Sequence, residues 1–270
     1  VSRVANPSRR GTRVVTGVSA VKEFVGSQTD QYMRSRNTEF SISNLKPYTR
    51  YYQFFDGNSS VDFIPKLIEI ATDSTLQNYG SSGSFQVGET VVGYYNGANV
   101  LRARVCAGNH KLGSFNNPSK TFTVNPYLKT ETLLSTYSSS SKVLNIDTFA
   151  LAEEAQGRYI GYAVIGMKLV GQSSGAVAFV KDLRLISDNY GDLTGSFFIR
   201  DPNTTPPPPV RITTGTKTFK VSSSSTNSPG LPGSNSVSTA ESNYSSQGIV
   251  NTFLTTTTTF IAEYYDRLAQ

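Results

Sequence analysis

The sequence predicts an all-β protein made of two or more β-sandwich or barrel-like modules in series, with extended arms at both ends. Many short runs of β-branched and aromatic residues are separated by Gly, Pro and Asn, which is typical of sandwiches and barrels. Long helical patterns are nearly absent. The spacing Leu45-x-Pro47-x-Thr49-x-Tyr51 lies between two alternating strands. In β-sandwiches this spacing predicts a structural corner, where a tyrosine hydroxyl bonds back to the backbone.

Length and composition limit the class of protein. A chain of 270 residues suits two or three modules of about 100 residues each. A single cysteine, Cys106, excludes an intramolecular disulfide framework. Stability is therefore expected from modest cores, strand pairing or association with other chains. Because the sequence contains no apolar run of about 18 residues, no membrane span is predicted.

The net charge of +6 resides in the first 50 residues, which contain nine basic and three acidic side chains. A basic end can bind nucleic acid or an acidic protein surface. Since no recognition helix or nucleic-acid motif accompanies these charges, nucleic acid is not a favoured partner. We expect residues 1–10 to form an arm that docks on another subunit. The candidate docking residues are Arg3, Arg9, Arg10 and Arg13.

The first sandwich module is predicted over residues 11–78. Its strands are predicted at residues 12–18, 36–43, 51–55 and 61–71. Alternation places Phe40 and Ile42 on one face, and Asp56-Gly57 predicts a turn after the corner. Pro65 interrupts the last strand, which indicates a sheet edge or a bulge at that point.

An internal repeat predicts two further β modules, at residues 79–126 and 158–203. Each copy has two glycines five positions apart, then an alternating strand and a Gly-Ser-Phe tripeptide. The landmarks are Gly88, Gly93 and Gly113 in the first copy and Gly166, Gly171 and Gly195 in the second, with Val92 matching Val170. Because glycine in a strand marks a bulge or bend, we expect two curved hairpins of one supersecondary unit. The alternative is chance similarity in a Gly/Ser-rich chain.

The remaining segments are predicted as a connector and a polar terminal region. Residues 127–157 form the connector and contain the one predicted helix, with Asp147 as its N-cap. Residues 204–270 comprise a stiff proline spacer, a hairpin at 210–221, a Ser/Gly loop and a Thr-rich strand at 248–261. That strand has few apolar positions, so we expect it to pair with another chain or a following domain.

The sequence predicts no catalytic, cofactor or metal site, and the protein is not expected to be an enzyme. His110 is the only histidine, which excludes a two-histidine metal site. Cys106 and His110 diverge on a strand and turn, so the cysteine is interpreted as a buried thiol. Asp188 and Asp192 could offer oxygen ligands to calcium, but a turn in which Asp188 bonds its own backbone is favoured. The catalytic alternative is a polysaccharide-degrading enzyme whose carboxylate pair forms only in three dimensions.

Two adjacent tyrosines form a candidate binding surface. Tyr94 and Tyr95 follow the glycine-bounded segment of the first repeat copy. On a strand, one ring of such a pair faces inward and the other outward. An exposed tyrosine ring is apolar with a polar tip and can cover a sugar or another protein. Both residues are therefore candidate contacts for a glycan or a subunit.

Several motifs resemble sequences of known families. The corner motif is similar to that of fibronectin type III domains, over residues 1–75. A wider set resembles large virion structural proteins of tailed bacteriophages, with cyanophages and related long-tailed phages closest in kind. The set comprises, in chain order, Tyr32-Met-Arg-Ser-Arg36, Phe40, Leu45-Lys-Pro-Tyr-Thr49, Phe54-Phe-Asp-Gly57, Pro65-Lys66, Ser84-Phe-Gln-Val-Gly-Glu-Thr-Val-Val-Gly93, Gly191-Asp-Leu-Thr-Gly-Ser-Phe-Phe-Ile199, Thr214-Gly-Thr-Lys-Thr-Phe219, Ala240-Glu241 and Asp266-Arg-Leu-Ala-Gln270. In that family a proline usually occupies the position of Arg267, and the sequence continues.

This resemblance implies a non-enzymatic structural component of a phage virion tail, as a baseplate, tail or fibre-attachment protein. It implies assembly in the host cytoplasm and a place in the tail region of the virion. The implied partners are copies of the chain and other virion proteins, with host surface polysaccharide as a further candidate. No cofactor is implied. The alternative function is a host-recognition adhesin that binds a glycan on the host surface.

Overall fold

The regular secondary structure of the chain is almost entirely β-strand, which confirms the predicted all-β class. The structure, a computed structural model, describes residues 12–71, 82–153, 158–204, 207–231, 236–247 and 249–265. The strands of these residues are β1 (Thr12–Thr29), β2 (Arg36–Ile42), β3 (Arg50–Phe55), β4 (Asp62–Pro65), β5 (Leu67–Ala71), β6 (Thr90–Tyr95), β7 (Ala98–Arg104), β8 (His110–Ser114), β9 (Asn117–Thr121), β10 (Val143–Asn145), β11 (Ile160–Gly161), β12 (Lys168–Gly171), β13 (Val177–Asp182), β14 (Leu185–Ile186), β15 (Leu193–Ile199), β16 (Gly215–Ser222), β17 (Thr239–Ser246) and β18 (Ile249–Tyr265). One short helix, α1 (Thr148–Glu153), joins them. The elements divide into two compact units: β1 and β18 form one, and Gln31–Gln247 forms the other.

The first unit contains a two-stranded antiparallel ribbon. β1 and β18 pair over 17 residue pairs, from Thr12 opposite Tyr265 to Thr29 opposite Ile249. A bulge between Phe24 and Gly26 interrupts the register. The Thr-rich strand, β18, is predicted from the sequence to pair with another chain or a following domain. That prediction is wrong for this ladder, because β18 pairs with β1 of the same chain. The predicted arm at residues 1–10 lies outside the described residues.

In the second unit, a four-stranded and a three-stranded sheet pack face to face. Their strand orders are β14-β3-β16-β17 and β2-β15-β4. The facing sides are aromatic: the ring centroids of Phe40 and Phe219 are 4.8 Å apart, and those of Phe55 and Phe197 are 5.2 Å apart. Tilted ring contacts of this kind add to the stabilisation from burial. Phe40 is buried, as its alternating strand predicts.

A seven-stranded sheet forms the larger core of this unit. Its order is β10-β5-β13-β12-β6-β7-β11. The fully buried side chains of this core include Ile68, Val91, Leu101, Leu144, Leu169 and Val180. Helix α1 adds Ala150 and Leu151 to it. The helix begins one residue after the predicted N-cap, and the Asp147 carboxylate accepts the Ala150 N–H at 3.1 Å.

The chain passes from one sheet system to the other at Pro65 and Lys66. β4 ends at Pro65 as an edge strand of the three-stranded sheet. This edge position was predicted, because proline has no N–H to donate to a ladder. β5 then begins at Leu67 in the seven-stranded sheet. Lys66, between the two, is buried with 4% exposure.

The sheets combine segments that the sequence analysis assigns to separate modules. β2 and β3, from the predicted module at 11–78, pair with β15 and with β14 and β16. β5, from the same predicted module, pairs with β10 and β13 in the other sheet. The predicted serial borders therefore do not separate the sheets of this unit. Alternation identifies strands and their faces, but it does not specify the partner strand.

The glycine-bounded segments form two hairpins that pair with each other. β6–β7 and β12–β13 meet through β6 and β12, with Val92 opposite Val170. The register is symmetric about that pair, because Gly93 lies opposite Leu169 as Gly171 lies opposite Val91. Two copies of one unit related by a local two-fold axis would have this register. The tripeptides do not share it, since Gly113 lies in β8 and Gly195 in β15.

The predicted hairpin at 210–221 is a single strand, β16. It pairs with β3 on one side and with β17 on the other. Strand β17 is not predicted from the sequence, because its residues Thr239–Ser246 are polar except for Ala240 and Tyr244. Such a strand carries little apolar alternation, which is the signal on which strand prediction depends.

Candidate functional site

The corner predicted from Leu45, Pro47, Thr49 and Tyr51 is present. The Tyr51 hydroxyl accepts the Lys46 N–H at 3.0 Å, five residues upstream, and donates to the Ser238 hydroxyl at 2.7 Å. Its ring is buried. The Thr49 hydroxyl donates to the Pro47 carbonyl at 2.9 Å. These contacts hold the backbone of the corner, and the side chain of Leu45 is buried in the core beside it.

The four glycines predicted as bends lie at turns and crowded strand positions. Gly88 and Gly166 precede β6 and β12 with φ angles of +89° and +84°, which disfavour other residues. A Cβ atom added at Gly93 would lie 2.9 Å from the Cβ of Leu101 and would also clash with the Met167 sulfur. Gly171 lies against the buried carboxylate of Glu89, which accepts the N–H groups of the next turn. The bends are therefore fixed by backbone conformation and close packing.

Tyr94 and Tyr95 are both exposed, at 41% and 37%. One inward and one outward ring were expected, and that expectation is wrong for this pair. A register shift between Gly93 and Tyr94 breaks the strand alternation, and Tyr95 is the last residue of β6. Both rings are accessible to a ligand or a subunit. Lys168 lies opposite Tyr94 on β12.

Of the four arginines predicted to dock, the structure describes the backbone of Arg13. It lies opposite Tyr264 in the ribbon. Arg3, Arg9 and Arg10 lie outside the described residues. A docking role for these arginines stays a prediction.

An open groove of about 530 Å³ lies between the edge strands β2 and β17. Phe40, Phe197 and Phe219 lie along the groove, while the hydroxyls of Thr38 and Tyr244 meet across it at 3.4 Å. Within the part of the chain that the structure describes, no ladder joins the outer edge of β2 or of β17. The two sheets are therefore not closed along this side.

A second cavity, of about 640 Å³, lies beside strand β8 and is called the hairpin cavity below. It is lined by residues that include Glu39, Lys66, Arg104, His110, Asp147 and Phe149. The lining thus brings together cationic, anionic and aromatic side chains from five regions of the sequence. None of these residues was predicted as part of a binding site.

Lys66 is the most unusual residue of the hairpin cavity. Its ammonium donates to the Ile146 carbonyl at 2.8 Å and contacts the Cys106 sulfur at 3.7 Å. Among the described residues, no carboxylate forms an ion pair with it. A buried ammonium without a counter-charge is costly. The only sequence signal was a lone lysine within the apolar run Ile64-Pro65-Lys66-Leu67-Ile68.

The Cys106 thiol is buried and free, as the sequence analysis interpreted it. Burial raises its pKa to about 11, and the nearby Lys66 charge only partly opposes this effect. A reactive cysteine requires the opposite, a lowered pKa. The geometry therefore gives no thiolate nucleophile at neutral pH.

The His110 side chain is also buried at the hairpin cavity. One ring nitrogen, Nε2, lies 3.1 Å from the Gly113 carbonyl oxygen, while Nδ1 has no partner in the described part of the chain. Burial lowers the pKa of His110, and the positive charge of Lys66 lowers it further. The ring is consequently neutral at pH 7.

The other cations beside the hairpin cavity are paired. Arg104 bonds Asp147 at 2.8 Å. Lys111 contacts both Asp188, at 2.6 Å, and Asp192, at 2.5 Å. The Asp188 carboxylate also accepts the Asp192 N–H at 2.9 Å, which confirms the predicted turn. Lys111 supplies the positive charge between these carboxylates.

The described residues form neither a metal cluster nor a membrane-spanning helix. Within the described ranges, no three His, Cys, Asp or Glu side chains are grouped closely enough to hold a metal ion. The same part of the chain contains no helix that is long and apolar enough to span a membrane.

The resemblances to fibronectin type III domains and phage virion proteins stay predictions from the sequence. No family model, no curated protein and no solved structure matches the chain.

Proposed function

We propose that the protein is a non-enzymatic structural component of a phage virion tail, as a baseplate, tail or fibre-attachment protein. In this role it assembles with copies of itself and other virion proteins through strand edges. The motif resemblance supports the assignment to a tail. The observation that carries the assembly role is the two-stranded ribbon of β1 and β18.

The ribbon is long, and among the described strands neither of its outer edges has a partner. Its 17 residue pairs extend over roughly 55 Å at strand spacing. No other described strand joins β1 or β18. Two-stranded sheets are marginally stable alone, and unpaired edges are templates for further pairing. A permanent assembly covers such edges with neighbouring subunits.

The exposed apolar residues of the ribbon support the same role. Phe24 and Val25, at the bulge of β1, are 58% and 63% exposed. Large apolar side chains that a monomer leaves in water are often buried in an interface. In the other unit, β2 and β17 each have one edge that no described strand pairs with.

The assembly role is tested by the solution mass of the purified chain. We expect light scattering after size exclusion to give one closed oligomer at micromolar concentration. Thr256→Lys with Thr258→Lys should shift that oligomer toward monomer, because edge lysines oppose strand addition. The matched control is Thr130→Lys with Thr136→Lys, at two exposed loop positions. A wild-type chain that is monomeric at every concentration would contradict the assembly role.

The place in the virion is tested on particles. Antibodies against the chain, with gold-labelled secondary antibody, should mark the tail of phage particles from a lysate in which the gene is expressed. Pre-immune serum is the control. Gold on the head alone, or particles whose peptide mass spectrum lacks the chain, would contradict the tail assignment.

Glycan binding at Tyr94 and Tyr95 is a second candidate function. The exposure of both rings on one hairpin favours it, since aromatic rings can stack on the apolar face of a sugar. A glycan array should then give hits that the double variant Tyr94→Ala, Tyr95→Ala loses. The same hits with wild-type and variant chains would exclude this site.

A further inference from the structure

We propose that the hairpin cavity binds an acidic sugar, with Lys66 contacting the carboxylate of the ligand. The inference does not rest on the assembly role, because a subunit can have this site whether or not it belongs to a tail. It rests on three properties of the cavity: a buried cation that no described carboxylate pairs with, a carboxylate with acceptor capacity, and an exposed aromatic ring.

The first property is the charge state of the lining. Arg104 and Lys111 are paired with aspartates, whereas Lys66 has a carbonyl and a thiol as its partners. An ammonium group has three donors, so Lys66 keeps capacity for a further acceptor. In a partly desolvated site, a carboxylate oxygen forms a stronger bond with an ammonium than a neutral oxygen does.

The second property is the environment of Glu39. One oxygen of this carboxylate accepts the Thr148 hydroxyl at 2.7 Å, which fixes the side chain at the cavity. No residue in the described part of the chain bonds its other oxygen, which can accept from a ligand. A simple anion has no donor for Glu39 and would be repelled by its charge. The hydroxyl groups of a sugar supply such donors while its carboxylate meets Lys66.

The third property is the apolar part of the lining. Phe149 and Leu112 line the cavity and are 62% and 55% exposed. An exposed ring can cover the C–H face of a pyranose. The cavity volume of about 640 Å³ lies within the usual range for small-molecule sites, about 300–1,000 Å³. The lining therefore combines the contacts that a hexuronate residue requires.

The test is calorimetric titration with three probes at constant ionic strength. Methyl glucuronide should bind, while methyl glucoside, which lacks the carboxylate, should bind at least about tenfold more weakly. Benzoate, a carboxylate without hydroxyls, should also bind more weakly. The NMR signals of His110, the single histidine, should shift on saturation with methyl glucuronide, because this ring lines the cavity.

Two variants locate the site. Lys66→Met should reduce affinity for methyl glucuronide about tenfold or more, while Lys142→Met, at an exposed lysine, should leave it unchanged. Phe149→Ala should also weaken binding, and this exposed residue can be changed without disturbing the core. If Lys66→Met fails to fold, Phe149→Ala decides the location.

Several results would overturn the inference. They are the absence of binding at millimolar probe, equal binding of the glucuronide and the glucoside, and unchanged affinity in folded Lys66→Met or in Phe149→Ala. Equal binding of benzoate would overturn the assignment to sugars. Loss of binding in Tyr94→Ala, Tyr95→Ala, with Phe149→Ala unaffected, would assign the ligand to the tyrosine pair instead.

Discussion

At the scale of single residues, the interior of this protein contains three ionisable side chains whose proximity is not evident from the sequence. Lys66, Cys106 and His110 come from a strand junction, a loop and a hairpin, and they share one polar region. Burial raises the pKa of Cys106 and lowers the pKa of His110, and the charge of Lys66 lowers both pKa values. Two of these effects can be measured directly, because the chain has one cysteine and one histidine.

Cys106 should react slowly with thiol reagents in the native protein. Its pKa of about 11, against 9.0 as the ordinary value, lowers the thiolate fraction at pH 8 roughly 100-fold. Burial slows access further. We expect Ellman's reagent to modify the native chain at least about 100-fold more slowly than the chain in guanidinium. Similar rates in both conditions would show that the thiol is accessible and ionised.

His110 should make the protein less stable as the pH falls below 6.5. The folded state lowers the pKa of His110 from 6.5, so the unfolded chain takes up the proton first. The contribution of His110 to the free energy of unfolding is thus complete above pH 6.5. It is lost as the pH falls from 6.5 through the lower pKa of the folded state. Urea unfolding at several pH values should show the loss, and His110→Gln should reduce it. An NMR titration with an apparent pKa above 6.5 would contradict the assignment.

At the scale of elements, the sequence predicts turns, caps and bends well, but it does not predict which strands pair with each other. Four features depend on the conformational preferences of a few neighbouring residues, and they are predicted from the sequence. They are the tyrosine corner, the sheet edge at Pro65, the helix cap at Asp147 and the glycine bends. The pairing of β2 and β3 with β14, β15 and β16 depends on packing between distant segments, which periodicity does not encode. β17 was missed because its sequence is polar.

The two candidate sites differ in the same way, because one is formed by neighbouring residues and the other by residues that are distant in the sequence. The tyrosine pair at residues 94 and 95 was visible as two adjacent aromatics, although their shared exposure depends on a bulge. The hairpin cavity was not predicted, because its lining comes together only through long-range folding. Lys66 is buried since the chain changes sheets there, and a lone lysine in the sequence does not indicate this.

The hairpin pair makes Gly93 a sensitive position. A methyl group there would press on Leu101 and Met167, and overpacking of this kind costs about 1–3 kcal/mol. We expect Gly93→Ala to lower the free energy of unfolding by that amount in urea. Gly26→Ala is the control, since nothing lies within 4 Å of its added carbon. Equal effects of the two changes would show that β6 is not packed closely at this glycine.

At the scale of the whole molecule, the apolar cores and the ribbon belong to different units. The buried clusters of the described residues lie within Gln31–Gln247. The ribbon has one ladder and exposed apolar residues at its bulge. In the proposed assembly role the ribbon of the first unit makes the main contact, while the second unit contains the apolar cores on which folding depends.

A fragment of residues 31–247 should therefore fold but fail to associate. We expect a cooperative thermal transition within a few degrees of that of the full chain when the latter is diluted to monomer, because the fragment retains both large cores. Light scattering should show a monomer at concentrations where the full chain is oligomeric. An oligomeric fragment would place the main contact in the second unit, and a fragment without a cooperative transition would show that the ribbon is needed for folding.

The register of the ribbon has a consequence for how this fold can be connected to others. Because Thr12 lies opposite Tyr265, the polypeptide enters and leaves the described structure at adjacent points. A segment joined before Thr12 and a segment joined after Tyr265 would therefore begin next to each other. The entire fold can accordingly be inserted into a surface loop of a host domain without pulling that loop apart.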